Sequence, residues 1–344
     1  TYYLGNFSYA HRQHEDAIRA WERAAELDPG FPTVQRNLGL AYFNQRGDAE
    51  RALRAYETAL HLDPEDARVF FELDQLRRKM NHAPADRLAE FDARPHLVER
   101  RDDLSIERAS LLNRLGRHAE ALDLLLARHF HPWEGGEGKT TGQYVFSLVS
   151  LARQALPAQQ RDEAVDLLER AQVYPHNLGE GKLYGAQENH IFYLLGEAYT
   201  GLGQAEQARA CYTRAASGLS EPASAMFYND QPPDMIYYQG LARRSLGREE
   251  EACAIFEKLV AYGREHMQDE VKIDYFAVSL PDFLVFDEDL ERRNRIHCHY
   301  MMALGLLGLG QAAEAVRYFD EALALDINHL GAYAHREMAV QNGG

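Results

Sequence analysis

Leu195-Gly196-Glu197-Ala198-Tyr199-Thr200-Gly201-Leu202-Gly203-Gln204-Ala205-Glu206-Gln207-Ala208-Arg209-Ala210-Cys211-Tyr212-Thr213-Arg214-Ala215 is the stretch that decides the fold. Leu195-Gly196, Tyr199, Gly203, Ala208, Tyr212 and Ala215 follow the small-and-large pattern of a helix-turn-helix unit of about 34 residues. In such a unit the small residues sit where two helices cross closely and the large ones fill the space beside them. One hairpin cannot bury its apolar face alone, so a neighbouring copy must cover it.

Working outward, the same places are taken by Leu4-Gly5, Ala17, Trp21, Ala24 and Pro29, and again by Leu38-Gly39, Tyr42, Ala52, Tyr56, Ala59 and Pro64. Gly116, Ala121 and Leu125 read as one second helix, and Ala164, Leu168 and Ala171 as another. Gly240, Gly247, Ala252 and Phe256 form a complete unit, and Gly310, Ala315, Phe319 and Ala322 close the series. The pattern predicts an all-α solenoid of roughly eight hairpins, several degenerate, running as a single domain over residues 1–344. Residues 1–65 are regular. Residues 66–104 keep helical periodicity in Val69, Phe70, Leu73 and Leu76 but lose the Gly and Ala markers around Asn81-His82-Ala83-Pro84, which predicts an irregular helix pair. Residues 105–220 carry two long glycine-rich connections, and 221–344 carry an insertion near 274–290.

A formal charge of -16 offers no basic stripe for phosphates, so nucleic acid is not an expected partner. Cys211, Cys253 and Cys298 lie far apart inside helical patterns, without paired spacing for zinc or disulfides. No run of about 18 apolar residues is present to span a membrane. The chain opens at Thr1 within a repeat helix, which reads as a piece of something longer. That leaves the compartment open, with the cytoplasm as the working expectation.

The feature above the repeat background is a pair of connections. His131-Pro132-Trp133-Glu134-Gly135-Gly136-Glu137-Gly138-Lys139-Thr140-Thr141-Gly142 is far longer than an ordinary repeat turn. Pro175-His176-Asn177-Leu178-Gly179-Glu180-Gly181-Lys182-Leu183-Tyr184-Gly185 repeats its form 43 residues later. Both spell Pro, three residues, Gly-Glu-Gly-Lys, two residues, Gly, and together they hold two of the five lysines. An offset of one enlarged unit predicts that they lie side by side on one edge. Two readings are open. In one, His131, Trp133, Glu134, Glu137 and Lys139 join His176, Glu180, Lys182, Tyr184 and His190 in a surface for a partner domain or a sugar-like ligand. In the other, the loops cap helix ends and pack on each other, with Lys139 or Lys182 paired to a nearby Glu.

Gly138-Lys139-Thr140 is not a nucleotide loop, because the first glycine that motif needs falls on Trp133 and no strand precedes it. His129 and His131 near Glu134, or His297 and His299 around Cys298, lack a third ligand at convincing spacing, so no metal site is expected. No nucleophile, base and orienter can be assembled either, so neither catalytic residues nor cofactors are expected. Phe276, Phe283, Leu284 and Phe286, among Asp282, Asp287, Glu288 and Asp289, read as packing at an insertion, with partner or ligand contact the second reading.

These markers make the chain similar to tetratricopeptide-repeat proteins, a resemblance that implies a right-handed superhelix. More narrowly, Asn37-Leu38-Gly39-Leu40-Ala41-Tyr42-Phe43-Asn44 together with the two Gly-Glu-Gly-Lys loops resembles the C-terminal repeat region of large bacterial proteins. In those, a β-rich N-terminal domain suspected of acting on carbohydrate precedes the repeats. The resemblance implies a non-catalytic scaffold whose partner is that domain or another copy of the chain. The alternative it implies is an accessory substrate-binding wall for a carbohydrate-active enzyme.

Overall fold

The computed structural model describes residues 1–131, 136–224, 231–271 and 285–343. Among them every regular element is helical, as the spacing predicts. Packing divides the chain into two units, residues 1–105 with 283–288 and residues 106–282 with 289–344.

The first unit is built from α1 (Tyr2–Ala10), α2 (His14–Leu27), α3 (Pro32–Arg46), α4 (Ala49–Leu62), α5 (Ala67–Lys79), α6 (Pro84–Asp92) and α7 (Pro95–Glu99). α2 buries Ala17, Ile18, Trp21 and Ala24, a single stripe at helical spacing. Where α1 meets it, a Cβ on Gly5 would stand 2.4 Å from the Trp21 ring. On α3 a Cβ at Gly39 would stand 2.5 Å from Tyr56 of α4. Glycine in the first helix thus makes room for an aromatic ring of the second. Between them the chain turns at Gly47, in the left-handed region at φ 64°, and Asp48 caps α4 by accepting from the Arg51 amide.

Residues 66–104 correct the expected helix pair. Three helices form there, because Pro95 starts α7 and disfavours helical backbone at Arg94, whose φ and ψ are -132° and 51°. A buried ion pair stands where the small markers are missing: Arg87 Nε and Nη2 donate to Asp74 at 2.8 and 2.7 Å.

The second unit contains α9 (His118–Leu126), α10 (Lys139–Ala155), α11 (Arg161–Ala171), α12 (Asn189–Gly201), α13 (Ala205–Ala215), α14 (Pro233–Ser245), α15 (Glu249–Glu265), α16 (Leu290–Gly308), α17 (Ala312–Leu325) and α18 (Leu330–Gly343), with α8 (Asp102–Arg114) carrying the division. The ring-on-glycine contact recurs at Gly196 with Tyr212 and at Gly240 with Phe256, each 2.4 Å from a would-be Cβ. Phe256, Leu259, Met301, Leu304 and Phe319 are sealed from solvent in its core. Each such side chain stabilises the fold by about 1.5–3 kcal/mol.

Candidate functional site

Of the first glycine-rich loop, residues 132–135 lie outside the described residues, so Trp133 and Glu134 have no placement here. The remainder lies against the second loop. Phe130 donates its amide to the Asn177 carbonyl at 2.8 Å, and the Asn177 side-chain amide donates to the carbonyls of Leu125 (2.9 Å) and Arg128 (2.8 Å). The Leu125 carbonyl lies in the last turn of α9 and that of Arg128 just beyond it, where the helix offers no further amides, so one side chain satisfies both. Gly179, at φ 76°, passes so close that a Cβ would stand 2.4 Å from the Phe130 carbonyl oxygen.

Glu180 reaches back across this junction. Its carboxylate accepts from the Gly138 amide at 3.1 Å and from Thr141 Oγ1 at 2.9 Å, at the start of α10. A negative charge there complements the exposed amides and the positive end of the helix dipole. Lys182 pairs with Glu188 and donates to the Gln172 carbonyl at 3.0 Å. His131, Glu137, Lys139 and His176 are exposed, Tyr184 stands fully in solvent, and Leu183 and Val173 are exposed as well.

His190 makes its contacts with α14 rather than with either loop. Its Nδ1 lies 3.2 Å from Met235 Sδ and its ring 6.1 Å from Tyr238. The Tyr238 hydroxyl binds Arg153 and lies 3.1 Å from His335 Nε2, while His335 Nδ1 donates to the Gly331 carbonyl at 2.8 Å. Burial, with the Arg153 charge beside it, pushes both His190 and His335 down to about 3. These are neutral imidazoles in a polar network. Among the described residues, no three His, Cys, Asp or Glu side chains gather as a metal would need, and no helix is long and apolar enough to cross a membrane.

Sequence reasoning missed a groove in the first unit. Phe286 is buried there, with its ring 5.0 Å from Phe43 and 5.6 Å from Tyr56, both edge-on. Asn44 brackets it: Nδ2 donates to the Val285 carbonyl at 3.0 Å and Oδ1 accepts from the Asp287 amide at 3.0 Å. Lys79 Nζ donates to the Asp287 carbonyl at 3.1 Å. Tyr56 is held in place from behind, since its hydroxyl donates to Glu72 at 3.0 Å and Arg36 grips the same carboxylate at 2.7 Å through two nitrogens. Burial and then the Glu72 charge raise the Tyr56 phenol well above its ordinary range, so it stays a donor. The only signal in the sequence is the Phe286-Asp287 pair inside the acidic insertion. Nothing connects it to Asn44, 241 residues from Val285.

Models of the tetratricopeptide repeat match residues 5–67, 190–217 and 234–262. Among solved structures the chain is similar to a tetratricopeptide repeat protein from Parabacteroides merdae, at 10% identity over 94% of this chain and 99% of that one, with a TM-score of 0.42. It is also similar to PilW, a type IV pilus biogenesis factor, at 16% identity over 62% and 89% of the two chains, with a TM-score of 0.32. The APC/C hetero-tetramer Cut9–Hcn1 matches at 14% identity over 97% of this chain and 54% of that one, with a TM-score of 0.36. Both units of the chain therefore carry tetratricopeptide repeats, helical hairpins of a kind that serves as scaffold for protein–protein interaction.

Proposed function

We propose that this chain is a non-catalytic scaffold that binds protein segments in the groove of its first unit. The observation that carries this reading is the groove's manner of holding Val285–Glu288: three hydrogen bonds to main-chain atoms and one pocket for a ring. Main-chain bonds give affinity to any peptide of the right backbone shape, and the pocket supplies selection. The test is alanine at Asn44 in the Phe286→Ala background, where the chain's own ring no longer fills the pocket, read by binding of a labelled peptide whose sequence is that of the held segment. Loss of at least tenfold in affinity is expected. Unchanged affinity rejects the groove as a binding site.

The edge formed by the two glycine-rich loops is the second proposed surface. Its support is the exposure of Leu183, Tyr184, Glu137 and Lys139 on two loops already tied to each other. The partner implied by the resemblance is a β-rich domain of the same larger bacterial protein, or a second copy of the chain. Calorimetry of this chain against that domain, with the Lys139→Ala, Lys182→Ala double variant and with Trp133→Ala, tests it. A loss of stability in both variants with unchanged binding leaves the loops as braces. An oligosaccharide titration that perturbs the fluorescence of Tyr184 would favour the carbohydrate reading instead.

A further inference from the structure

We propose that the groove's partner is a segment with an aromatic residue followed by acidic ones, and that the chain's own Val285-Phe286-Asp287-Glu288 holds the site in competition with it. The inference rests on the groove reading above and adds the chemistry of the ligand and its regulation.

The segment behaves as a ligand to the unit it occupies. It contributes no regular element, and it arrives from 241 residues away in the sequence. Its polar ties to Asn44 and Lys79 run through its own carbonyls and amide, so any segment with the same backbone course is able to make them. The one side chain that is sealed from solvent is Phe286, at 1% exposure.

The pocket that receives it is preorganised. Tyr56 is fixed on its far side by Gly39, whose missing Cβ leaves the ring its place, and by the Glu72 carboxylate that Arg36 and Arg68 also grip. None of these contacts involves Phe286, so the ring wall stands without it. At the other end the Lys79 ammonium lies where the chain leaves the pocket, and the residues leaving are Asp287 and Glu288. A cation at that point favours carboxylates following the aromatic anchor and opposes a basic segment.

A tethered segment competes at an effective concentration on the order of millimolar. If a free peptide binds the open groove at roughly 0.1 mM, the tethered copy weakens it about tenfold. The experiment uses the full chain and a fluorescein-labelled peptide of sequence Val-Phe-Asp-Glu-Asp, followed by anisotropy. Phe286→Ala, which vacates the pocket, is expected to bind it about ten times more tightly than the parent. Peptides with Ala for Phe, or with Asn and Gln for the acids, are expected to bind the variant at least tenfold and about threefold more weakly. Equal affinity of parent and variant for the peptide overturns self-occupation while leaving the groove reading intact. No binding to either overturns the groove reading itself.

Should Phe286→Ala fail to give the parent's circular dichroism, hydrogen exchange on the unaltered chain decides. The Asp287 amide, which donates to Asn44, is expected to exchange at least tenfold faster under saturating unlabelled peptide. Peptide bound without any change in that exchange overturns the competition.

Discussion

Two asparagines do the same chemical work in different settings. Asn177 ties the end of one helix to the next connection, about 50 residues along the chain, and Asn44 ties a helix to a segment 241 residues away. Around Asn177 the two glycine-rich loops satisfy each other, with Glu180 capping α10 and Gly179 pressed against Phe130. Around Asn44 the walls are finished before the segment arrives. The comparison teaches that a bond to the main chain is a brace when its neighbours need it for their own polar groups, and a receptor when they do not.

The largest expected break in this comparison is Glu72→Ala. It leaves the Arg36 guanidinium, which had two bonds to that carboxylate, without its buried partner and frees Tyr56. A loss of roughly 3–5 kcal/mol is expected from urea denaturation. A midpoint within error of the parent would mean that the groove wall is not held from behind.

Asn177→Ala comes next. Stranding the carbonyls of Leu125 and Arg128 is expected to lower stability by about 1–3 kcal/mol. If the variant matched the parent in thermal melting, the loop pair would be no brace.

Acid provides a third probe, confined to groups of the second unit. His335 and His118 are held down to about 3 and about 4, chiefly by burial, against an ordinary value of 6.5. Below 6.5 the unfolded chain takes up protons that the folded chain refuses, so this stabilisation is complete above pH 6.5 and is lost as the pH falls toward 4. Each histidine contributes up to about 1.4 kcal/mol per pH unit in that window. Comparing the pH slope of unfolding for the parent and His335→Gln reads one of them. Identical slopes would remove His335 from the account.

The smallest effect is expected from the Lys139→Ala, Lys182→Ala pair. Lys139 is exposed and the Lys182 side chain keeps 28% of its surface in solvent in its pair with Glu188, so less than about 1 kcal/mol should be lost. A loss of several kcal/mol would move these lysines from a recognition edge into the brace.

The hairpins were legible because their cause is local. Gly196 and Tyr212, or Gly39 and Tyr56, lie on successive helices of one hairpin, and the close crossing leaves a small residue and a ring at fixed distance. The side-by-side loops were legible for a related reason, since two copies of one motif offset by a single unit must be neighbours in a stacked array. Residues 66–104 resisted because Arg87 and Asp74 replace small-residue packing with an ion pair that no periodicity announces. The groove resisted most. Phe43, Tyr56 and Phe286 each read as core, and the sequence has no local sign that Phe286 is packed against the other two rather than against its own neighbours.

The separation between Asn44 and Val285 also sets an order of events during synthesis. Helices α1–α5 leave the ribosome long before residue 285 is added. At about 5–20 residues per second, the groove's own occupant follows its walls by roughly 10–50 s. A nascent chain stopped short of Val285 is thus the form in which a partner meets the groove without a rival, and a partner made on the same messenger or waiting at the same ribosome gains a head start that a late arrival lacks.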